Sequence, residues 1–268
     1  MKDFSFLTDQ LYGKKSFLCV GLDPDVEKIP KIFLNDPQPL FSFCKTIAEV
    51  TESLAIAYKI NVAFFESQGP NGWIQLEKLV SCLPKNCLII LDAKRADIGN
   101  TSAQYARYFF ETLNADAITL HPYMGLDSLQ PFLNYEEKWS IILALTSNSG
   151  SQDLELQSMA DGKYLYQKVL GLYGTPDSRN QVMFVCGATH PDLFLEIRKI
   201  CPSHFLLVPG IGAQGGDLHE TIRKGRNDSG GLLINVSRSI CYPEYQKGFE
   251  QDVYDSALSF QQEMMEYF

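Results

Sequence analysis

Short apolar runs recur along the chain, separated by stretches of helical period. They are SFLCVGLD (16–23), LAIAYKIN (54–61), CLIILDAK (87–94), DAITLHP (116–122), SIILALTSN (140–148), VMFVCGAT (182–189), FLLVPGIG (205–212) and GLLINVSRSI (231–240). Most are continuously apolar rather than alternating, which suits strands covered on both faces of a parallel sheet. Between them, NGWIQLEKLVSCL (71–83), TSAQYARYFFETL (101–113), KYLYQKVLGLY (163–173) and HPDLFLEIRKI (190–200) read as helices. Thr101 with Gln104 reads as a capping box at one helix start. Eight strands alternating with helices predict an α/β fold, a (β/α)8 TIM barrel occupying residues 1–268 as a single domain. The alternative is an open doubly wound sheet. The longest stretch between strands runs from about Ser149 to Gln181, and its polar opening, SGSQDLELQ, reads as a mobile lid.

Composition leaves this picture intact and narrows the partners. The 268 residues are 45% hydrophobic and 21% charged, enough for a large core. A formal net charge of −9 disfavours nucleic acid and anionic membranes as partners. The first residues, MKDFSFLTDQLYGKKS, lack the apolar region of a secretory signal, and no apolar run reaches membrane-spanning length. The seven cysteines are scattered without a C-x-x-C pair, which points to reduced thiols and a cytoplasmic location.

In such barrels the chemistry sits at the C-terminal ends of the strands. The first strand ends at Asp23, the second carries Lys59, and the third carries Asp92 and Lys94. Two residues apart on a strand, Asp92 and Lys94 share a face. With Asp23 and Lys59 they form a candidate acid–base cluster. A structural ion-pair network is the alternative, but buried ion pairs stabilise poorly because desolvation offsets the Coulomb gain, so several at strand ends lean towards function. Asp97 lies beyond the strand, where it could also compensate a helix N-terminus.

The fifth strand ends in Thr146, Ser147 and Asn148. The seventh opens at Pro209 into PGIGAQGGD, and the eighth ends in Ser237 and Arg238. Glycines at 210, 212, 215 and 216 let backbone amides approach an anion, and the loops after strands seven and eight are the usual phosphate site of this fold. A Gly-rich turn beside a surface Arg is the plainer alternative. The G-x-G-x-x-G there lacks an acidic residue placed for a ribose, so it reads as phosphate binding rather than a dinucleotide fingerprint. The four histidines form no H-x-H or H-E-x-x-H, so no metal site is expected. A G-x-S-x-G elbow is also missing.

With these residues placed, the chain resembles the orotidine 5′-phosphate decarboxylase family, in the branch (type 2) whose motif is D-A-K-R-[AG]-D-I. LDAKRADIGNT carries that motif, and YKINVAFFE, LTSNSG, PGIGAQGG and NVSRSI follow in the family's order. The resemblance implies cofactor-free decarboxylation of orotidine 5′-phosphate to UMP, the last step of de novo pyrimidine synthesis. It implies Lys94 as proton donor, with Asp92 and Lys59 beside it. Asp97, with Ile98 and Thr101, is similar to residues supplied by the partner subunit of a homodimer. Asp23 resembles a ribose contact, Ser147 a pyrimidine contact, and Gln214 and Arg238 phosphate contacts; Pro209 and Ser237 join them as candidate substrate contacts. Ser149 competes with Ser147 for the pyrimidine role. Three rival readings stand beside this one: a Mg²⁺-dependent sugar-phosphate decarboxylase or synthase, a Schiff-base aldolase using Lys94, and a non-catalytic nucleotide-phosphate binder on the same barrel.

Overall fold

Eight parallel strands pair in sequence order and close on themselves: β1 (Leu18–Leu22), β2 (Ala57–Asn61), β3 (Leu88–Arg95), β4 (Ala117–Leu120), β5 (Trp139–Leu145), β6 (Val182–Cys186), β7 (Leu206–Val208) and β8 (Leu232–Val236). The structure, a computed structural model, describes residues 2–212, 215–244 and 246–268. The closing pair, β8 with β1, sets Ile234 against Leu18 and Val236 against Val20. Helices separate successive strands, so the fold is the (β/α)8 barrel that the apolar runs predict and not an open sheet. The continuous burial of β1, β4, β6, β7 and β8 explains why those runs do not alternate: the barrel interior covers one face and the helices the other.

The N-terminal ends of the strands are closed by structure rather than chemistry. The helix Phe4–Lys14, capped by Asp3, buries Leu7 and Leu11. Ahead of it, Lys2 donates to Asp116 at 2.7 Å and to the Cys87 carbonyl at 2.6 Å, and Trp139 Nε1 donates to the Lys2 carbonyl at 2.7 Å. At the other end of the chain, Gln261 in the helix Phe249–Met265 donates to the Lys14 carbonyl. Among the described residues no helix is long and apolar enough to cross a membrane.

One local expectation changes. The helix between β3 and β4 starts at Gly99, not at Thr101, and ends at Arg107 in a π turn, Tyr108–Thr112. Its N-cap is Ile98, which offers no side-chain acceptor, so the Thr101–Gln104 capping box does not form. Instead, Ser102 Oγ gives its proton to carbonyls of Asp97 and Ser128 and accepts from the Asp97 N–H, tying the turn to the next helix. The stretch after β5 is held at several points. Glu155 accepts from the Thr146 N–H at 2.6 Å and from its hydroxyl at 2.9 Å, and the Glu155 carbonyl accepts from Tyr166. SGSQDLELQ begins as a 3-10 turn (Ser149–Gln152), and its Glu155 is bonded to the end of β5.

Candidate active site

At the C-terminal mouth of the barrel lies a cavity of about 240 Å³. Asp23, Lys59, Asp92, Lys94, Ser147 and Pro209 line it, as the strand-end reading places them. Thr119, Thr146, Asn148 and Asn235 complete its polar wall, and Leu143, Val185 and Leu207 its apolar wall.

Four charges form a chain across this wall. Lys59 Nζ stands 4.0 Å from Asp23 Oδ1 and donates to Asp92 Oδ2 at 2.9 Å. Lys94 Nζ donates to the other oxygen, Asp92 Oδ1, at 2.6 Å. The two ammoniums differ in setting: the Lys59 side chain is 7% exposed, that of Lys94 53%. Lys59 is thus a buried strut, and Lys94 presents its charge to the cavity. Burial alone would raise the Asp92 carboxyl, but the Lys59 and Lys94 ammoniums outweigh it and hold the group well below the usual carboxylate range. Burial likewise opposes the charged form of Lys59, and Asp92 with Asp23 reverses that and raises it. Asp92 and Lys59 therefore both carry their charges at neutral pH.

Alternation does not explain how Asp92 and Lys94 meet. Between Leu91 and Arg95 the register of β3 against β4 shifts, with four steps along β3 matched by two along β4. Lys94 sits there with φ of 49°, in the left-handed region. Its N–H leaves the ladder and donates to Thr119 Oγ1 at 2.9 Å, and that hydroxyl donates to Asp92 Oδ1 at 2.9 Å. Arg95 points away, into an ion pair with Glu66 beside the rings of Tyr105 and Phe109.

Asp23 is held from β8. Ser237 Oγ donates to Asp23 Oδ2 at 2.5 Å, while the Tyr242 hydroxyl donates to the Asp23 carbonyl at 2.7 Å. Asp23 Oδ1 is buried without a hydrogen-bond partner among the described residues, an acceptor aimed at the site. Gly21 makes this approach possible: a Cβ there would lie 2.7 Å from Ser237 Cβ and 2.9 Å from Asn235 Oδ1.

The glycine-rich loop read as an anion site follows β7. Gly210, Gly212 and Gly215 have φ of 103°, 76° and 81°, a backbone path closed to most side chains. The loop returns through Gly216, whose N–H donates to the Gly210 carbonyl at 3.0 Å, and leads into the helix Leu218–Gly225, capped by Asp217. Arg238, exposed at the start of the turn Arg238–Cys241, has no ion pair among the described residues. Gln214 lies outside the described residues.

Five described candidates do not line the cavity of their own chain: Ser237 and Arg238 after β8, and Asp97, Ile98 and Thr101 after β3. Asp97 accepts from the Ile98 N–H at 2.7 Å, Ile98 is 63% exposed, and Thr101 lies in the first turn of the following helix. Of the two serines after β5, Ser147 lines the cavity and Ser149 is exposed at its rim. Thr119 and Asn235 escape sequence reading, since each sits inside an apolar run, AITL and LLINV, where a lone polar residue passes for strand filler. Among the described residues no group of three His, Cys, Asp or Glu is placed to hold a metal ion.

The comparisons with known proteins match this architecture along its whole length. The family model described as Orotidine 5'-phosphate decarboxylase / HUMPS family matches residues 16–246. The orotidine 5'-phosphate decarboxylase of Bacteroides fragilis is 51% identical over 263 residues, covering 97% of this chain and 96% of the relative. That of Flavobacterium johnsoniae is 48% identical over 263 residues, covering 97% and 96%. Among solved structures, the OMP decarboxylase of Leishmania donovani superposes with a TM-score of 0.85 at 37% identity, covering 99% of this chain and 98% of that one. The UMP synthase of Leishmania donovani gives 0.86 at 40% identity, and here the match covers 97% of this chain but 55% of the larger one. A family match that runs from before β1 to beyond β8, with half the residues identical to a full-length relative, establishes that this chain belongs to the orotidine 5'-phosphate decarboxylase / HUMPS family.

Proposed function

We propose that the chain converts orotidine 5′-phosphate to UMP and CO₂ without drawing on a cofactor, with Lys94 as the proton donor. The observation that carries this reading is the Asp23–Lys59–Asp92–Lys94 chain, in which one ammonium is buried and the other faces the cavity. Loss of CO₂ leaves an electron pair on C6 of the pyrimidine, in an orbital the ring does not delocalise. Fixed charge must then stabilise it. The Lys94 ammonium supplies that charge and transfers its proton to C6; the neutral amine then takes a proton from solvent. Asp92, held by Lys59, aims the ammonium. Asp92 also places a carboxylate near the leaving carboxylate, and the Lys59 and Lys94 ammoniums hold it ionised there.

The remaining roles combine the positions of the described residues with the family resemblance, on which Gln214 rests alone. Asp23 has a free acceptor for a ribose hydroxyl, with Ser237 fixing its other oxygen. Ser147 offers a hydroxyl to the pyrimidine. Pro209, Gln214 and Arg238 form the phosphate site, where binding energy remote from C6 contributes to positioning. Asp97, Ile98 and Thr101 serve the site of a second copy, making a homodimer with shared sites; their place outside their own chain's cavity supports this. LDAKRADIGNT supports the type 2 branch. The helices at both chain ends close on one barrel, which supports residues 1–268 acting as one domain. Seven unpaired cysteines support a cytoplasmic location. The direct test is product analysis: purified protein should yield UMP and CO₂ from orotidine 5′-phosphate in equal amounts. No UMP at micromolar enzyme would refute the proposal.

A further inference from the structure

We infer that Thr119 is the positioning residue that aims the Lys94 ammonium, an inference that rests on the proposed role of Lys94 as proton donor. Three groups close a ring around its hydroxyl. The Lys94 N–H donates to Thr119 Oγ1 at 2.9 Å, Thr119 Oγ1 donates to Asp92 Oδ1 at 2.9 Å, and Lys94 Nζ donates to that same oxygen at 2.6 Å. The backbone and the ammonium of one residue are thus both referred to one carboxylate oxygen, through one side chain of the neighbouring strand.

The ring answers a conformational need. A left-handed lysine inside a strand is uncommon and unfavourable unless its surroundings fix it. The β ladder does not do so here, because the β3–β4 pairing is interrupted from Leu91 to Arg95. The Thr119 hydroxyl replaces the missing ladder acceptor, and it is 1% exposed in a strand buried throughout. Its single proton is committed to Asp92, so it has none to offer a ligand. It therefore acts through Lys94 and Asp92, not on the substrate.

A residue with this role should affect turnover and spare binding. The experiment compares wild type, Thr119→Val and Thr119→Ser in steady-state decarboxylation of orotidine 5′-phosphate, in UMP binding by calorimetry, and in thermal melting. Valine keeps the shape and removes the hydroxyl, which leaves the Lys94 N–H without its acceptor. Thr119→Val should lower kcat about 30-fold or more, with KM and UMP affinity within about 3-fold of wild type. Thr119→Ser, which keeps the hydroxyl, should restore kcat to within about 3-fold. If Thr119→Val does not fold, Thr119→Ala is read in its place against the same serine variant. A kcat unchanged by loss of the hydroxyl, an equal loss in the serine variant, or a loss confined to KM overturns the inference. Wild-type protein that does not consume orotidine 5′-phosphate overturns the decarboxylase reading and the inference together. Active wild type with a silent hydroxyl deletion overturns the inference alone.

Discussion

Asp92 and Lys94 meet at 2.6 Å across a backbone that is not an alternating strand, because Lys94 turns into the left-handed region and leaves the β3–β4 ladder. The β3–β4 pairing is interrupted at Lys94 and resumes at Arg95, and the interruption lets the ammonium face the cavity. Lys59, two positions from the end of an unbroken β2, is buried by contrast. Backbone geometry thus separates a buried charge from one that faces the cavity.

Arg238 should govern affinity and not the chemical step. Its side chain is exposed just after β8 and carries no ion pair among the described residues. Arg238→Ala should raise KM about 10- to 100-fold, the worth of a charge-assisted hydrogen bond. Steady-state kinetics with orotidine 5′-phosphate check this, and an unchanged KM removes Arg238 from the phosphate site.

Lys59 should matter to stability as well as to catalysis. Removing one partner of a buried ion pair costs about 3–5 kcal/mol. Lys94 still pairs the other Asp92 oxygen, so Lys59→Ala should sit near the lower end, about 3 kcal/mol. Urea unfolding reads this as a lower midpoint. A Lys59→Met, Asp92→Asn double variant should regain much of the loss while staying inactive. A Lys59→Ala midpoint equal to wild type would contradict the strut role.

The pH dependence of stability should come in part from His204, far from the site. It is buried, with Nε2 3.0 Å from Ser178 Oγ and Nδ1 without a partner among the described residues. Burial, and then the nearby Arg198 charge, push its pKa down from 6.5 to about 4. The unfolded chain therefore binds the extra proton first. Stability falls as pH drops from about 6.5 to about 4 and is insensitive to this group above about 7, a change on the order of 3 kcal/mol. Unfolding measured at pH 7.5, 5.5 and 4.5 should show this slope, and His204→Gln should flatten it. Equal slopes in both proteins would sink the assignment.

Asp97 should serve a neighbouring barrel. Lys94→Ala and Asp97→Ala proteins, each inactive, should regain activity when mixed under conditions that allow subunits to exchange, up to about one quarter of wild type for random pairing with one intact site per hybrid dimer. Proof of exchange with no recovered activity would argue against shared sites.

The order of the strands and four of the site's charges were legible because both follow local rules. Continuous apolar runs mark strands covered on two faces, and the barrel topology delivers their C-terminal residues to one mouth. Asp23, Lys59, Asp92 and Lys94 needed nothing more. What escaped depends on pairing between strands. The left-handed turn at Lys94 needs the slipped β3–β4 register and the hydroxyl of Thr119, 25 residues away in the chain. The failed capping box at Thr101 depends on a different distant contact: Ser102 is drawn to Asp97 and to Ser128 of the next helix, and the helix starts earlier. Glu155 reads as one more polar residue of a loop until its carboxylate is seen holding Thr146 next to Ser147.

The most direct measurement of the central claim follows the absorbance of orotidine 5′-phosphate with wild-type and Lys94→Ala proteins side by side, each with and without EDTA. Wild type should turn over at the same rate in both conditions, and Lys94→Ala should lose at least about 1,000-fold in kcat while keeping its fold by circular dichroism. Substantial turnover by folded Lys94→Ala, or loss of wild-type activity in EDTA, would contradict a metal-independent decarboxylation driven by the Lys94 ammonium.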